Sequence, residues 1–281
     1  MSTGEPVGEQ ESSSSQSSSA EQVDELRADL TTKVAALLEV DDEKARKIVE
    51  AFDAQIARPI EKKFADLQPH DLTKRNPYFH AVLGTTSVDD WVDRALADLE
   101  TSALESHVGK WLEDVARIMS GGFKPGSGVD VQRQIGDDTA ELYSLQMAGN
   151  TKSSGGSQAE ISNLQRAAAP LRTHGMRVTT IVGVMYGRKS SKSPGADPNI
   201  LKPSSIELWE RLTGQKDFLP RLLAASRLLS VLVSARARDE AERLKIEAVR
   251  TFAADDGTLD LGKLIEPPPR PRRRKPKGSS S

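Results

Sequence analysis

The amino-acid sequence predicts an α/β protein of the α+β kind, with a mixed β-sheet flanked by helices and further helices added at both ends. Two strand-like segments, one starting at Val129 and one at 141–147, are separated by a polar turn at Asp137-Asp138. A third segment, at 177–186, is uniformly apolar, which is typical of a strand buried on both faces in the middle of a sheet. Apolar residues at helical spacing fill much of the chain before and after these segments.

The elements follow one another along five predicted regions. Residues 1–20 form a disordered, Ser-rich acidic tail, and 21–100 form a helical region that begins with a helical hairpin. We expect separate helices at 86–99 and 102–118, and a helix that begins near Gln158 after a glycine-rich loop. Residues 101–200 hold the core with the sheet, 201–265 the helical C-terminal part of the same domain, and 266–281 a disordered basic tail.

Composition excludes several kinds of site and partner. The 281 residues include no cysteine, so a disulfide framework or a thiolate metal site is impossible. No stretch reaches the eighteen or so apolar residues, free of charges, that a membrane span needs, and we expect no membrane partner. The formal net charge of -2 conceals an acidic beginning and a basic end, so basic surfaces have to be judged locally.

Charged and polar residues collect at the ends of the two predicted strands between residues 129 and 156. Asp130 stands at the start of the first strand, and a loop of Gly, Asn, Thr, Lys and Ser follows the second. A metal-dependent site for phosphodiester cleavage needs such an arrangement, because its oxygen ligands must converge on one cation. Motifs for a nucleophile, for a nucleotide phosphate or for a dinucleotide are missing from the sequence.

Short pieces of sequence in a fixed order support this interpretation. They are NPY at 76–78, LG at 83–84, Gly109 with LEDVA at 112–116, Asp130, YSLQMAGNT at 143–151, Gly183 with YG at 186–187, LWE at 208–210, LTG at 212–214 and DGTLDL at 256–261. Together they resemble the PmeII-like type II restriction endonucleases, whose catalytic core is of the PD-(D/E)XK kind. The resemblance spans roughly residues 70 to 265 and implies a core with the element order αβββαβ.

The resemblance implies roles for individual residues. Asp130 would bind Mg²⁺ from the first strand, and Glu113 would match a helix glutamate that supports the metal site. Gln146 stands at the position of the family's second acid, where an amide oxygen binds a hard cation more weakly than a carboxylate does. Ala148 stands where the family has its lysine. Either Lys152 reaches back to the site, or the lysine is lost and cleavage is impaired.

The implied function is Mg²⁺-dependent hydrolysis of double-stranded DNA by a cytoplasmic homodimer in a restriction or phage-defence system, with a cognate DNA methyltransferase as partner. Asn150, Lys152, Arg188 and Lys189 are the expected DNA contacts, because cations and hydrogen-bond donors track phosphates. The alternative is a catalytically weakened nuclease fold that serves as a DNA-binding or scaffold subunit, which the changes at 146 and 148 favour. A helical protein–protein adaptor would leave the strands and the glycine-rich loop without a purpose.

Overall fold

The computed structural model describes residues 11–74, 77–126, 128–147, 154–187 and 200–265. In these ranges the chain forms nine α-helices and four strands. Their bounds, in chain order, are α1 Glu11–Leu38, α2 Asp42–Phe52, α3 Arg58–Ala65, α4 Pro77–Val82, α5 Val88–Ser120, β1 Val131–Ile135, β2 Thr139–Gln146, α6 Ser154–Thr173, β3 Arg177–Val184, β4 Ile200–Leu201, α7 Ser205–Thr213, α8 Phe218–Phe252 and α9 Leu261–Ile265. A π-helical turn joins α2 to α3, and a short 3-10 helix precedes α4.

The four strands form one mixed sheet in the order β1-β2-β3-β4. β1 and β2 are antiparallel and are joined by a tight turn in which Gly136 has a φ of 67°, a conformation that favours glycine. β2 and β3 are parallel, and α6 forms the crossover between them. The predicted fold class is therefore confirmed, and β3 lies inside the sheet as its uniform apolarity predicts. Because Gln146 pairs with Val184, β2 and β3 end at the same edge of the sheet.

Helices cover both faces of the sheet. On one face, Leu164 and Ala168 of α6 pack in a buried cluster with Leu142 and Val182 of the strands. On the other face α7 lies against Gly183 of β3, where an added Cβ atom would come within 2.7 Å of both terminal carbons of Leu208. A side chain at this position would therefore push α7 away from the sheet.

A buried carboxylate, Glu141 of β2, ties α7 to two strands. It accepts hydrogen bonds from Arg133 Nε of β1 and Arg211 Nε of α7, both at 2.7 Å, and from the hydroxyl of Tyr143. Burial alone would raise the pKa of Glu141, but hydrogen bonds from Tyr143, Arg133 and Arg211 outweigh it and hold the pKa below its ordinary value. The carboxylate is thus charged at neutral pH and anchors the sheet to α7.

Two predicted element boundaries differ from the structure. Residues 11–20, predicted as part of the disordered tail, belong to α1, because extending an existing helix costs far less than starting one. Likewise, the two helices predicted at 86–99 and 102–118 are the single helix α5, since neither proline nor glycine interrupts the chain between them. The predicted tails at 1–10 and 266–281 lie outside the described residues.

The chain divides into two compact units, each built from two separated segments. The first comprises Met1–Glu61 and Ala103–Ala237 and contains the sheet; the second comprises Lys62–Ser102 and Arg238–Ser281. In the second unit, the rings of Trp91 and Phe252 meet edge to face at 5.0 Å. The predicted boundaries near residues 100, 200 and 265 divide the chain differently and stay a prediction.

One helix of the described residues, α8, is long and apolar enough to cross a membrane by length and composition alone. Its Leu222, Leu229 and Leu232 are buried within the protein, as in the core helix of a folded domain.

Candidate active site

Asp130 lies immediately before β1 and is fixed to β2 by two hydrogen bonds. Its backbone N–H donates to the carbonyl oxygen of Tyr143 at 2.8 Å, and its carboxylate oxygen Oδ2 accepts from the backbone N–H of Leu145 at 2.7 Å. The carboxylate therefore accepts a hydrogen bond from a backbone N–H of β2 at a point where β1 has not yet begun. Its other oxygen, Oδ1, is the one nearer to the amine of Lys124.

Glu113 of α5 comes to the same place because the helix approaches β2 closely. At Gly109 an added Cβ atom would lie 3.4 Å from the side chain of Met147, the residue that follows β2. Glu113 is one helical turn further on and lies on the same face of α5. Burial raises the pKa of Glu113, the charge of Asp130 raises it further, and Lys124 opposes both effects. The predicted pair of acids thus lies close enough for their charges to interact.

Lys124 lies between the two acids. Its Nζ is 3.6 Å from Glu113 Oε2 and 3.9 Å from Asp130 Oδ1. Two backbone hydrogen bonds between Phe123 and Gln132, of 2.9 and 2.8 Å, hold the segment that carries Lys124 beside β1. The sequence alone did not identify Lys124 as a site residue, because its closeness to the acids depends on that pairing.

Gln146, the last residue of β2, has a partner on α6. Its Nε2 donates to Glu160 Oε2 at 2.5 Å, and the hydroxyl of Ser144 donates to Glu160 Oε1. Residues two apart in a strand share a face, so Ser144 and Gln146 both point towards α6. All three side chains are buried. The amide oxygen is then the atom of Gln146 that could bind a cation, since its NH₂ group is bonded to a carboxylate.

Sequence reasoning also missed Glu160, although a signal was present. Glu160, Leu164 and Ala168 are spaced four residues apart, which places an acid on the apolar stripe of α6. A carboxylate on a buried stripe needs hydrogen-bonded partners, and the polar residues of the neighbouring strand supply them.

The other predicted site residues, Asn150, Lys152, Arg188 and Lys189, lie outside the described residues, and so does Ala148. Their assignments stay predictions. The strands that precede them, β2 and β3, end at the same edge of the sheet.

The described residues fit a cation held by a pair of carboxylates. No group of three or more His, Asp or Glu side chains able to hold a metal occurs within the described part of the chain. Magnesium is commonly bound by one or two carboxylates, with water and substrate phosphate completing its shell. Lys124 places a positive charge within 4 Å of both Glu113 and Asp130, as a bound cation would. The competing interpretation is a surface ion-pair cluster in which Asp130 only caps β2.

A mixed sheet with a crossover helix, flanked by helices and carrying acids at the start of β1 and on α5, is consistent with the class of restriction endonuclease folds. Comparison with protein families identifies the particular family. The family model for the type II restriction endonuclease EcoO109I matches residues 43–227, well over half of the chain, and the protein belongs to this family. No curated protein matches the chain.

This match confirms the resemblance to restriction endonucleases but does not support the narrower PmeII-like assignment. The family implies DNA as the substrate and a general dependence on divalent metal ions.

Proposed function

We propose that this protein is a Mg²⁺-dependent endonuclease that hydrolyses phosphodiester bonds of double-stranded DNA in phage defence. The observation that carries the proposal is that Glu113 and Asp130 both lie within 4 Å of the amine of Lys124, in a chain of a type II restriction endonuclease family. We place the enzyme in the cytoplasm as a homodimer that cuts both strands, with a cognate DNA methyltransferase protecting the host.

The described residues support this role through their positions. A divalent cation bound there would supply positive charge against the phosphate and lower the pKa of a bound water. Asp130 would offer Oδ1, since Oδ2 accepts the N–H of Leu145, and Glu113 would offer its carboxylate, which lies 3.6 Å from the amine of Lys124. Both acids keep part of their side chains exposed, so substrate has access to them.

DNA would lie along the edge where β2 and β3 end. Asn150 and Lys152 follow β2 in the sequence, and Arg188 and Lys189 follow β3, and both of these strands end at that edge. Their cations would bind phosphates, and phosphate contacts position DNA without reading its sequence.

A cleavage assay tests the proposal. The wild-type protein is incubated with unmethylated phage DNA and Mg²⁺ or Mn²⁺, with a chelator as the negative control. We expect discrete fragments, and we expect Asp130→Asn to lower the rate by about 100-fold or more through loss of a charge at the reacting centre. Asp138→Asn is the matched control, because Asp138 is an exposed acid in the β1–β2 turn. A folded wild-type protein that cuts no unmethylated DNA would contradict the proposal.

The second candidate is a catalytically weakened nuclease fold that binds DNA or acts as a scaffold subunit. The hydrogen bond from the Gln146 amide to Glu160 favours this candidate. Gln146 stands where the family has its second acid, and the hydrogen bond gives this amide a structural role. Salt-sensitive DNA binding without metal-dependent cleavage would select this candidate.

A further inference from the structure

We propose that Lys124, which reaches the site from the segment before β1, is the catalytic lysine of this enzyme. The inference rests on the proposed nuclease function and deepens it. Its ammonium group would contact the scissile phosphate and hold the attacking water by hydrogen bonds, remaining charged throughout. Lys152 was expected to fill this role, and its position in sequence is the argument for it.

The geometry around Lys124 carries the proposal. Among the described residues, Lys124 is the cation whose amine lies within 4 Å of both acids of the site, at 3.6 Å from Glu113 and 3.9 Å from Asp130. The three groups come from three separate places: α5, the segment beside β1, and the start of β1 itself. Three elements therefore converge on one small volume at the sheet.

Backbone hydrogen bonds hold two of the three groups, Lys124 and Asp130, in place. Lys124 follows Phe123, whose backbone pairs with Gln132 of β1 through two hydrogen bonds. Asp130 is bonded to the N–H of Leu145. The segment of the lysine is therefore held by β1 and the acid by β2, and these two strands pair with each other, so one framework positions both groups, as a reaction centre requires.

A purely structural role explains Lys124 less well. Its side chain is 50% exposed, and exposed ion pairs contribute little to stability. A lysine at such a place is free to exchange its carboxylate partners for a phosphate oxygen. Glu113 and Asp130 would hold a metal ion whose charge would neutralise them, and the ammonium group of Lys124 would then contact the anionic substrate.

The chemical step balances without a further reactant. The oxygen of the held water forms a bond to phosphorus, the bond from phosphorus to the leaving sugar oxygen breaks, and the proton lost by the water passes to solvent. The leaving oxygen takes a proton from solvent in turn. Lys124 contributes charge and orientation and exchanges no proton in this scheme.

The test combines cleavage with metal binding in the full-length protein. Lys124→Ala and the longer Lys124→Gln are compared with Lys216→Ala, an exposed lysine after α7 that serves as the control. Single-turnover cleavage of unmethylated DNA is measured with Mg²⁺, and Mn²⁺ binding is measured by calorimetry without DNA. Circular dichroism verifies that each variant is folded.

We expect both Lys124 variants to cleave at least about 100-fold more slowly, from the loss of one preorganised charged donor. We expect them to bind Mn²⁺ about fivefold more tightly, because a unit positive charge within 4 Å of both carboxylates is removed. Lys216→Ala should change neither quantity. A residue with only a structural role would not slow cleavage while tightening metal binding.

Several results would overturn the proposal. Wild-type rates in folded Lys124 variants would do so, as would unchanged Mn²⁺ affinity. Loss of the chemical step in Lys152→Ala but not in the Lys124 variants would assign the catalytic lysine to Lys152. A wild-type protein that binds Mn²⁺ but cuts no DNA would instead overturn the proposed nuclease function together with this role, so the two failures are distinguishable.

Discussion

Gln146 and Glu160 form a buried hydrogen-bonded pair, and replacing them singly and together tests whether Gln146 is structural or a metal ligand. Gln146→Met preserves side-chain length and removes the donor to Glu160. The amide nitrogen lies 2.5 Å from the carboxylate, and the two side chains are only 9% and 5% exposed. Loss of a hydrogen bond to a buried charged group should lower the free energy of unfolding by about 2–3 kcal/mol.

Glu160→Met should cost at least as much. It leaves the hydroxyl of Ser144 and the amide of Gln146 without the carboxylate that both now use, and each buried donor left unsatisfied costs about 1–3 kcal/mol. The double variant Gln146→Met/Glu160→Met removes both partners of one bond. Its cost should therefore fall short of the sum of the single costs by about 1.5–3 kcal/mol.

Urea denaturation of the wild type and the three variants at neutral pH measures this coupling. Gln134→Met is the control, because Gln134 is an exposed polar residue of β1 and its replacement should stay within about 0.5 kcal/mol. Additive costs within about 0.5 kcal/mol would refute the coupling between Gln146 and Glu160. Loss of Mn²⁺ binding in Gln146→Met at unchanged stability would show that Gln146 acts as a ligand instead.

Three further predictions concern other parts of the sheet. Asp130→Asn keeps an oxygen that can accept the hydrogen bond from the N–H of Leu145, so it should preserve the free energy of unfolding. Asp130→Ala should lower that free energy by about 1.5–3 kcal/mol, as measured by urea denaturation. Equal losses in the two variants would contradict the capping role of Asp130. Glu141 has a folded pKa below its ordinary 4.5, so its stabilising contribution is present above that pH and is lost as the pH falls through the folded pKa. When the free energy of unfolding is measured as a function of acid pH, Glu141→Gln should lack the part of the pH dependence that comes from Glu141. The same pH dependence in the variant and the wild type would contradict this prediction. Gly183→Ala should destabilise the protein by about 1–3 kcal/mol through contact with Leu208, as measured by thermal unfolding. Combining it with Leu208→Val should restore part of the lost stability. A wild-type melting temperature in Gly183→Ala would show that α7 can shift away from the sheet without a loss of stability.

The type of the elements around the sheet could be predicted because each carries a local signal. The order αβββαβ that the resemblance implies differs from the described residues, in which α5 is followed by β1, β2, α6, β3 and β4. The uniform apolarity of β3 predicted its central position, and the acidic turn predicted the β1–β2 hairpin. The length of α5 was underestimated because polar residues between its two apolar stretches resemble a break. Nothing in local propensity distinguishes such a stretch from the exposed side of a continuous helix.

The site was predictable only in part. The resemblance singled out Glu113 and Asp130, and the structure brings them close enough for their charges to interact. Lys124 could not be found from sequence, because its closeness to the acids follows from the pairing of Phe123 with Gln132, which has no signature in the residues themselves. Periodicity was sufficient to reveal Glu160, provided that its place on the apolar stripe of α6 was noticed.

The hydrogen bond from Leu145 to Asp130 also bears on metal selectivity. With Oδ2 committed to a backbone N–H, Asp130 offers a single oxygen and is a poor chelating ligand. Calcium prefers six to eight oxygens, often including two from one carboxylate, whereas magnesium retains several waters and accepts one oxygen from each acid. The backbone of β2 thereby disfavours the larger ion at this carboxylate, and Ca²⁺ should substitute poorly for Mg²⁺ in the proposed nuclease.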